Sequence, residues 1–376
     1  MAAIKINNKT VQRIYKGADE VTAIYKGNVK VWERDFNIDK FHTLCPAATA
    51  TAVTFDYTSA QDLTALTFCG WVDLAETIGV YKTGTEYFVL SEGEIRPGSC
   101  RMLFYGYSAL HSIILNNFII KDCYDVVGMF SGCSGLTALD VSGFDTSAVT
   151  AMNSMFETCS KLKTVNISAF DVSNVTSLGF MFNLCSVINN LDFTRWNTSN
   201  VTDMRGMFQS CSYINNLDLS FWNTSNVTDL GYMFNRCIRL TNLKISNWDV
   251  RKVTSMKTMF QHLDQIKHLD LSGWITSSLT DMEYMFSSCG NILDIDLTNF
   301  DTSKINIAFT FTFENCNKLV TIYIKNNPVV KKSHSGTFSK CSAIVGGNGT
   351  TYKSGSSTYF RIDTPETPGY LTLKNA

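Results

Sequence analysis

A Met-Phe pair recurs at Met129-Phe130, Met155-Phe156, Met181-Phe182, Met207-Phe208, Met233-Phe234, Met259-Phe260 and Met285-Phe286, and every step is 26 residues. The phase continues through Thr312-Phe313 and Thr337-Phe338 and reaches back to Leu103-Phe104, so the array spans about 103–345. Its end copies are degenerate, as expected where terminal units cap an open stack. A unit this short cannot bury its own apolar face, and only stacked neighbours make a core. Within 207–232, Leu217 and Leu219 alternate around Asp218, while Val227 and Leu230 occupy a second extended stretch. Alternation of that kind predicts short strands. Turns are expected at Asn223-Thr224-Ser225-Asn226, whose side chains can bond local backbone in place of ladder partners. Cys211 and Ile214, three apart, leave room for a short helical or 3₁₀ turn after the Met-Phe pair. All five prolines (Pro46, Pro97, Pro328, Pro365 and Pro368) avoid the regular units, because a ladder that needs every backbone N–H has no place for proline. The expected fold is mainly β, a stack of about nine to ten 26-residue units.

Charge limits the choice of partner. The 376 residues carry 32 Lys+Arg against 33 Asp+Glu, which removes any net-charge argument for nucleic acid or an anionic membrane surface. Only 17% of residues are charged, so Ser, Thr and Asn must dress the outside. No apolar segment with a small-residue cleavage site follows the N-terminal basic residues, and none of the secretory pattern is read there. Residues 102–120 lack a formal charge, yet Ser108, His111, Ser112, Asn116 and Asn117 make them too polar for hydrocarbon. The expectation is a soluble chain without membrane insertion, made where its 12 cysteines stay reduced.

Aligned units expose columns. Cys133, Cys159, Cys185, Cys211, Cys237, Cys289, Cys316 and Cys341 share one position, and Leu263 takes the remaining rung. Parallel side chains do not converge as tetrahedral zinc requires, and leucine neither ligates nor cross-links, so a buried apolar rung is preferred to a metal or disulfide ladder. The column Phe144, Phe170, Trp196, Trp222, Trp248, Trp274, Phe300 reads as a core spine ahead of a binding platform. A third column, Asp140, Asn166, Asp192, Asp218, Lys244, Asp270, Asp296, Tyr323, is flanked by buried strand positions and must face outwards. Adjacent carboxylates, Asp192 with Asp218 and Asp270 with Asp296, either stand as a solvated row or hold a cation such as calcium, the solvated row being preferred. Asp203, Asp229 and Asp281 form a sparser parallel column.

Units differ most just before the Met-Phe pair, at Gly179-Phe180, Arg205-Gly206, Gly231-Tyr232, Lys257-Thr258 and Glu283-Tyr284, and just before the aromatic column, at Arg195, Phe221 and Asn247. Where the scaffold repeats and a position does not, the scaffold is not dictating the residue. Arg195, Phe221, Tyr232 and Tyr284 are therefore the candidate recognition residues, Tyr and Arg being common interface anchors. His42, His111, His262, His268 and His334 show no metal spacing and no recurrent Ser or Cys partner, and no phosphate-cradling loop is present. Neither catalysis nor a cofactor is expected.

The recurring phrase, seen as LDFTRWNTSNVTDMRGMFQSC and LDLSFWNTSNVTDLGYMFNRC, resembles the BspA-like leucine-rich repeat of bacterial surface proteins and mycoplasmal surface lipoproteins. The ending from Cys341 to Thr372 resembles the usual closure of such arrays. The resemblance implies a leucine-rich-repeat solenoid serving as a non-enzymatic binding or adhesion surface. At the other end, VQRIYKGADE followed by VTAIYKGNVKVW is a small duplication with alternating apolar residues, punctuated by Gly17 and Gly27, and reads as a tiny β-meander. That phrase resembles the N-terminal segment of gut-bacteriophage structural proteins, with Ile14, Tyr15, Ile24, Tyr25 and Trp32 as the implied virion anchor. The layout expected is 1–34 a β anchor, 35–102 an irregular β subdomain capping the stack, 103–345 the solenoid and 346–376 a C-terminal cap. The implied location is a virion, with multiple copies among other virion proteins and a host surface protein or glycan as ligand. The alternative is a bacterial cell-surface adhesin.

Overall fold

The computed structural model describes residues 36–374 apart from 62, 74–77, 306–308, 330–335 and 355–358, together with the backbone of 2–6, 9–13, 23–26 and 29–33. The chain is mainly β and divides into two units, Met1–Asn174 and Val175–Ala376.

The first unit begins with two separate antiparallel hairpins, β1 (Ala2–Ile6) with β2 (Lys9–Arg13) and β3 (Ala23–Lys26) with β4 (Val29–Glu33). Among the described residues of the expected meander, these strands are hydrogen-bonded as two two-stranded pairs. Helix α1 (Ile38–Leu44) follows. Asn37 caps it by accepting from the Lys40 N–H at 2.8 Å, and Pro46 bars its continuation.

The segment expected to be irregular β is an ordered five-stranded sheet, β6-β7-β8-β5-β9, built from β5 (Ala52–Tyr57), β6 (Thr67–Trp71), β7 (Ile78–Thr83), β8 (Glu86–Ser91) and β9 (Ser112–Leu115). β7 and β8 form a hairpin, whereas β5 lies parallel to both β8 and β9. The sheet therefore draws its edge strand from beyond residue 102. Beneath it Phe36, Phe41, Phe55, Phe104, Tyr107 and Phe118 pack as one aromatic cluster, with Phe55 and Phe118 rings 4.8 Å apart. Phe104 continues this cluster into a column, stacking on Phe130 at 5.5 Å and through it on Phe156 at 5.7 Å. The apolar alternation around Leu139 and Val165 yields β10 (Ala138–Leu139) parallel to β11 (Thr164–Val165).

The second unit repeats this geometry with regular spacing. β12 (Asn216–Asp218) runs parallel to β13 (Asn242–Lys244) with Leu217 opposite Leu243, one sequence period apart. β14 (Asp294–Asp296), β15 (Thr321–Ile324) and β16 (Leu371–Leu373) form a three-stranded parallel sheet. On a second side of each coil, parallel bridges run Ser177, Asp203, Asp229, Ser255, Asp281. The Met-Phe rings stack from Phe208 to Phe234 at 5.9 Å and from Phe234 to Phe260 at 6.0 Å. Such registered stacking supplies the core that no single coil could make.

Strands stay short because each coil bends twice through left-handed backbone. One bend is at the residue before the Met-Phe pair (Phe180 φ 57°, Tyr232 φ 61°, Thr258 φ 61°, Tyr284 φ 56°), the other at the residue before the cysteine rung (Leu184 φ 61°, Ser210 φ 61°, Arg236 φ 60°, Ser288 φ 63°). Each is the third residue of a β-turn, closed for example by Met233 N–H to Leu230 C=O at 3.3 Å and Cys237 N–H to Phe234 C=O at 3.1 Å. These β-turns stand where the spacing of Cys211 and Ile214 left room for a short helical or 3₁₀ turn.

Polar residues read as turn formers also bind coil to coil. Asn223 accepts from its own turn, at Ser225 N–H, 3.1 Å. Thr224 Oγ1 instead donates forward to Asp249 C=O at 3.1 Å, and Asn226 Nδ2 back to Ser199 C=O at 2.8 Å. Thr202, Thr228, Thr254 and Thr280 form a further ladder, each donating both N–H and hydroxyl to the carbonyl one coil before. Side-chain bonds thus supplement a backbone ladder only two to four residues wide.

Candidate binding surface

Every cysteine of the repeated rung is buried, and successive thiols donate to equivalent carbonyls. Cys211 donates to Phe182 C=O at 3.1 Å, Cys237 to Phe208 C=O at 3.1 Å and Cys289 to Phe260 C=O at 3.0 Å, each reaching the preceding coil. Leu263 fills the same place fully buried, so the rung requires apolar volume and the thiol bond is an addition. The tryptophan column is core as well: Trp196, Trp222, Trp248 and Trp274 are buried and stack at 6.2–6.3 Å. Trp248 and Trp274 donate their indole N–H groups to Leu219 and Ile245 carbonyls. Neither column presents a ring face to a ligand.

Outward residues of the second unit fall into separate rows. On the strand face Asp192, Asp218 and Asp270 are exposed and Asp296 is half-buried. Oδ1 of each accepts from the backbone N–H and hydroxyl two residues on, as Asp192 does from Thr194 at 3.0 and 2.7 Å. Those bonds hold the Asp192 carboxyl below its ordinary range. Lys244 at 2.7 Å, followed by Ser220, does the same for Asp218. Burial pushes Asp296 up, but Lys374 at 2.6 Å and Thr298 outweigh it. The charge that two neighbouring aspartates would share with a cation is thus already met by local donors and two lysines. Among the described residues no group of three or more His, Cys, Asp or Glu could hold a metal.

Tyr232 and Tyr284 occupy a second row, the left-handed position before the Met-Phe pair. The sequence reading left this position undictated; the structure shows that the scaffold does constrain it, by imposing a positive φ, while leaving the side chain open. Its members and the residues just before them interlock along the stack. The Arg205 guanidinium lies 5.8 Å from the Phe180 ring and 5.2 Å from that of Tyr232, a cation between two rings. Lys257 pairs with Glu283 at 2.6 Å, and Tyr284 stacks on Phe311 at 5.2 Å. Phe180 and Phe311 share the phase of Tyr232 and Tyr284, while Arg205 stands one residue before the Gly206 that holds it; Phe180 and Arg205 are marked in the sequence as variable without being chosen as candidates.

Arg195 and Phe221 form a third row in consecutive coils. Both are exposed, and Phe221 at 58% is among the most exposed large apolar residues. Around the cysteine corner Leu184, Tyr213 and Ile238 are also exposed, with the Arg239 guanidinium 3.9 Å from the Tyr213 ring. Nothing in the repeat pattern marks these. Of the implied anchor residues, Ile24 stands opposite Trp32 and Tyr25 opposite Lys30 in the second hairpin, while Ile14 and Tyr15 lie outside the described residues. No helix among the described residues is long and apolar enough to cross a membrane.

Comparison with solved structures finds similarity to a chain of the "Crystal structure of TLR13-ssRNA13 complex", at 12% identity and a TM-score of 0.27, covering 64% of this chain and 40% of that one. The chain therefore spans about 40% of the length of that structure. No curated protein matches. A family profile described as "Mycoplasma protein of unknown function, DUF285" matches residues 124–219 and 207–326, more than half of the chain. These stretches hold the buried cysteine, tryptophan and Met-Phe columns, and the chain belongs to the DUF285 family, which BspA-like repeat proteins carry.

Proposed function

We propose that this chain is a non-enzymatic binding protein that displays variable residues on a repeating scaffold for attachment to a surface protein or glycan. One observation carries the reading. Within the second unit the buried columns repeat from coil to coil, whereas the outward residues Arg195, Phe221, Arg205, Tyr232 and Tyr284 do not. Variation confined to side chains that leave the core intact suits recognition, and Arg and Tyr are typical anchors. In the finer form of the proposal, 103–345 are one leucine-rich-repeat solenoid of about nine to ten units, closed at its ends by 35–102 and 346–376. Residues 1–34 attach it in multiple copies to other virion proteins. Support for the virion is the resemblance of the N-terminal phrase; family membership supports the alternative, a bacterial cell-surface adhesin.

Two measurements separate these readings. Mass spectrometry of purified phage particles is expected to find this chain, and its absence from them would leave the adhesin. For binding itself, the combined variant R195A/F221A/Y232A/Y284A in the full chain is expected to lose tenfold or more retention on intact host cells, about 1.4 kcal/mol. Unchanged retention by a variant with an unaltered circular-dichroism spectrum would overturn the surface assignment.

A further inference from the structure

Four cysteines stand outside the repeated rung, and two of them meet. Cys100 and Cys123 are both fully buried in the first unit, with their sulfurs 3.4 Å apart. They belong to successive coils held in register by the parallel bridge Ser99 to Asp125 and by the Cys100 N–H donating to Asp125 C=O at 2.8 Å. One period on, the same two positions are Val126 and Val149; further along they are Leu178 with Val201, Met204 with Val227 and Leu230 with Val253, all buried. Apolar packing is what these positions need, and nothing in the packing calls for sulfur on both sides of one contact. Seven rung thiols are each aimed at a carbonyl of the preceding coil, whereas Cys123, which also donates to Asp125 C=O at 3.4 Å, faces a second sulfur.

We propose that Cys100 and Cys123 are an oxidation site, a dithiol that closes to a disulfide stapling two successive coils when the chain meets an oxidising milieu. The oxidant is a small-molecule disulfide such as oxidised glutathione. The Cys123 thiolate attacks one sulfur of the reagent, breaking its S–S bond and releasing a first small thiolate. Cys100 then loses its proton and attacks the Cys123 sulfur of the mixed disulfide, forming the Cys100–Cys123 bond and expelling a second small thiolate. Two protons leave the protein, two cysteines are oxidised and one reagent disulfide is reduced to two thiols. The hydrogen bond with Cys100 holds the Cys123 thiol below its ordinary pKa, and burial pushes that of Cys100 up, which suits Cys123 as the first nucleophile. Exposed Tyr124 and Arg101, each next in sequence to one of the pair, place the dithiol just beneath the surface, where local opening admits the reagent.

The test uses the full chain, reduced and then incubated with oxidised glutathione under folding conditions. Alkylation in denaturant should fall from twelve thiols to ten, non-reducing peptide mapping should join residues 100 and 123, and the melting temperature should rise until dithiothreitol reverses it. The variant C100V/C123V carries the residue pair of the following coil and should fold, keep all ten of its thiols and show no such rise. Twelve alkylatable thiols after treatment, a stable glutathione adduct at Cys123 without closure, or a linkage joining rung cysteines would each overturn the proposal.

Discussion

At the scale of single residues, Gly206 illustrates how one coil sets the next. Its φ is 59°, yet Phe180, Tyr232 and Thr258 hold the equivalent place with similar values, so backbone freedom alone does not explain the glycine. The Phe180 ring does, because a β-carbon on Gly206 would fall inside contact distance of it. Gly336 stands in the same relation to Phe311. Gly206→Ala is expected to destabilise by about 1–3 kcal/mol. Phe180→Ala in the same chain should recover most of that loss, and a denaturation series on both single variants and the double variant measures the coupling. Additive losses would show that the ring is not the cause. Neither partner was legible as such in the sequence, which displayed only variable positions; the pairing depends on which residues the register brings together.

At the scale of elements, the cysteine rung and the closing segment define opposite pH limits. Burial pushes the thiols of Cys159, Cys237 and Cys289 up to about 12. A thiol whose folded pKa exceeds its unfolded value, 9.0 here, contributes stability in full below pH 9 and loses it as pH rises towards 12. Melting temperature should therefore fall from pH 9 upwards, and less steeply in C237L/C289L, leucine being already accommodated at Leu263. Equal slopes would remove the thiols as the origin. Asp363 acts in the opposite sense. Burial pushes its carboxyl up, but donors from Thr350, Gly369 and Asn348 outweigh that and hold it low. Its contribution is present above the unfolded carboxylate pKa and lost as pH falls through the depressed folded value. Asp363→Asn should cost about 1–3 kcal/mol and flatten the acid limb of the stability curve; an unchanged limb would assign acid sensitivity elsewhere. The rung was readable from phase and from Leu263. Asp363 was not, because its four donors converge only after the chain has turned back on itself.

For the whole molecule, stacked coils predict tolerance by phase. Deleting 207–232, one complete period, joins Gly206 to Met233 and preserves every column, so the shortened chain should fold with a somewhat lower melting temperature. Removing half a period should abolish folding, because buried and exposed positions would exchange; a stable half-period deletion would refute register-dependent stacking. What the sequence by itself determined is the mainly β class, the period, and the columns that are buried, since periodic burial leaves a mark on every copy. Tertiary structure alone decided the ordered mixed sheet of the first unit, the two left-handed bends of each coil, the interlocked row from Phe180 to Phe311 and the facing thiols of Cys100 and Cys123. The physical reason is common to them. Each depends on a backbone angle or a contact between residues about one period or more apart, which residue types alone do not encode until the register aligns them.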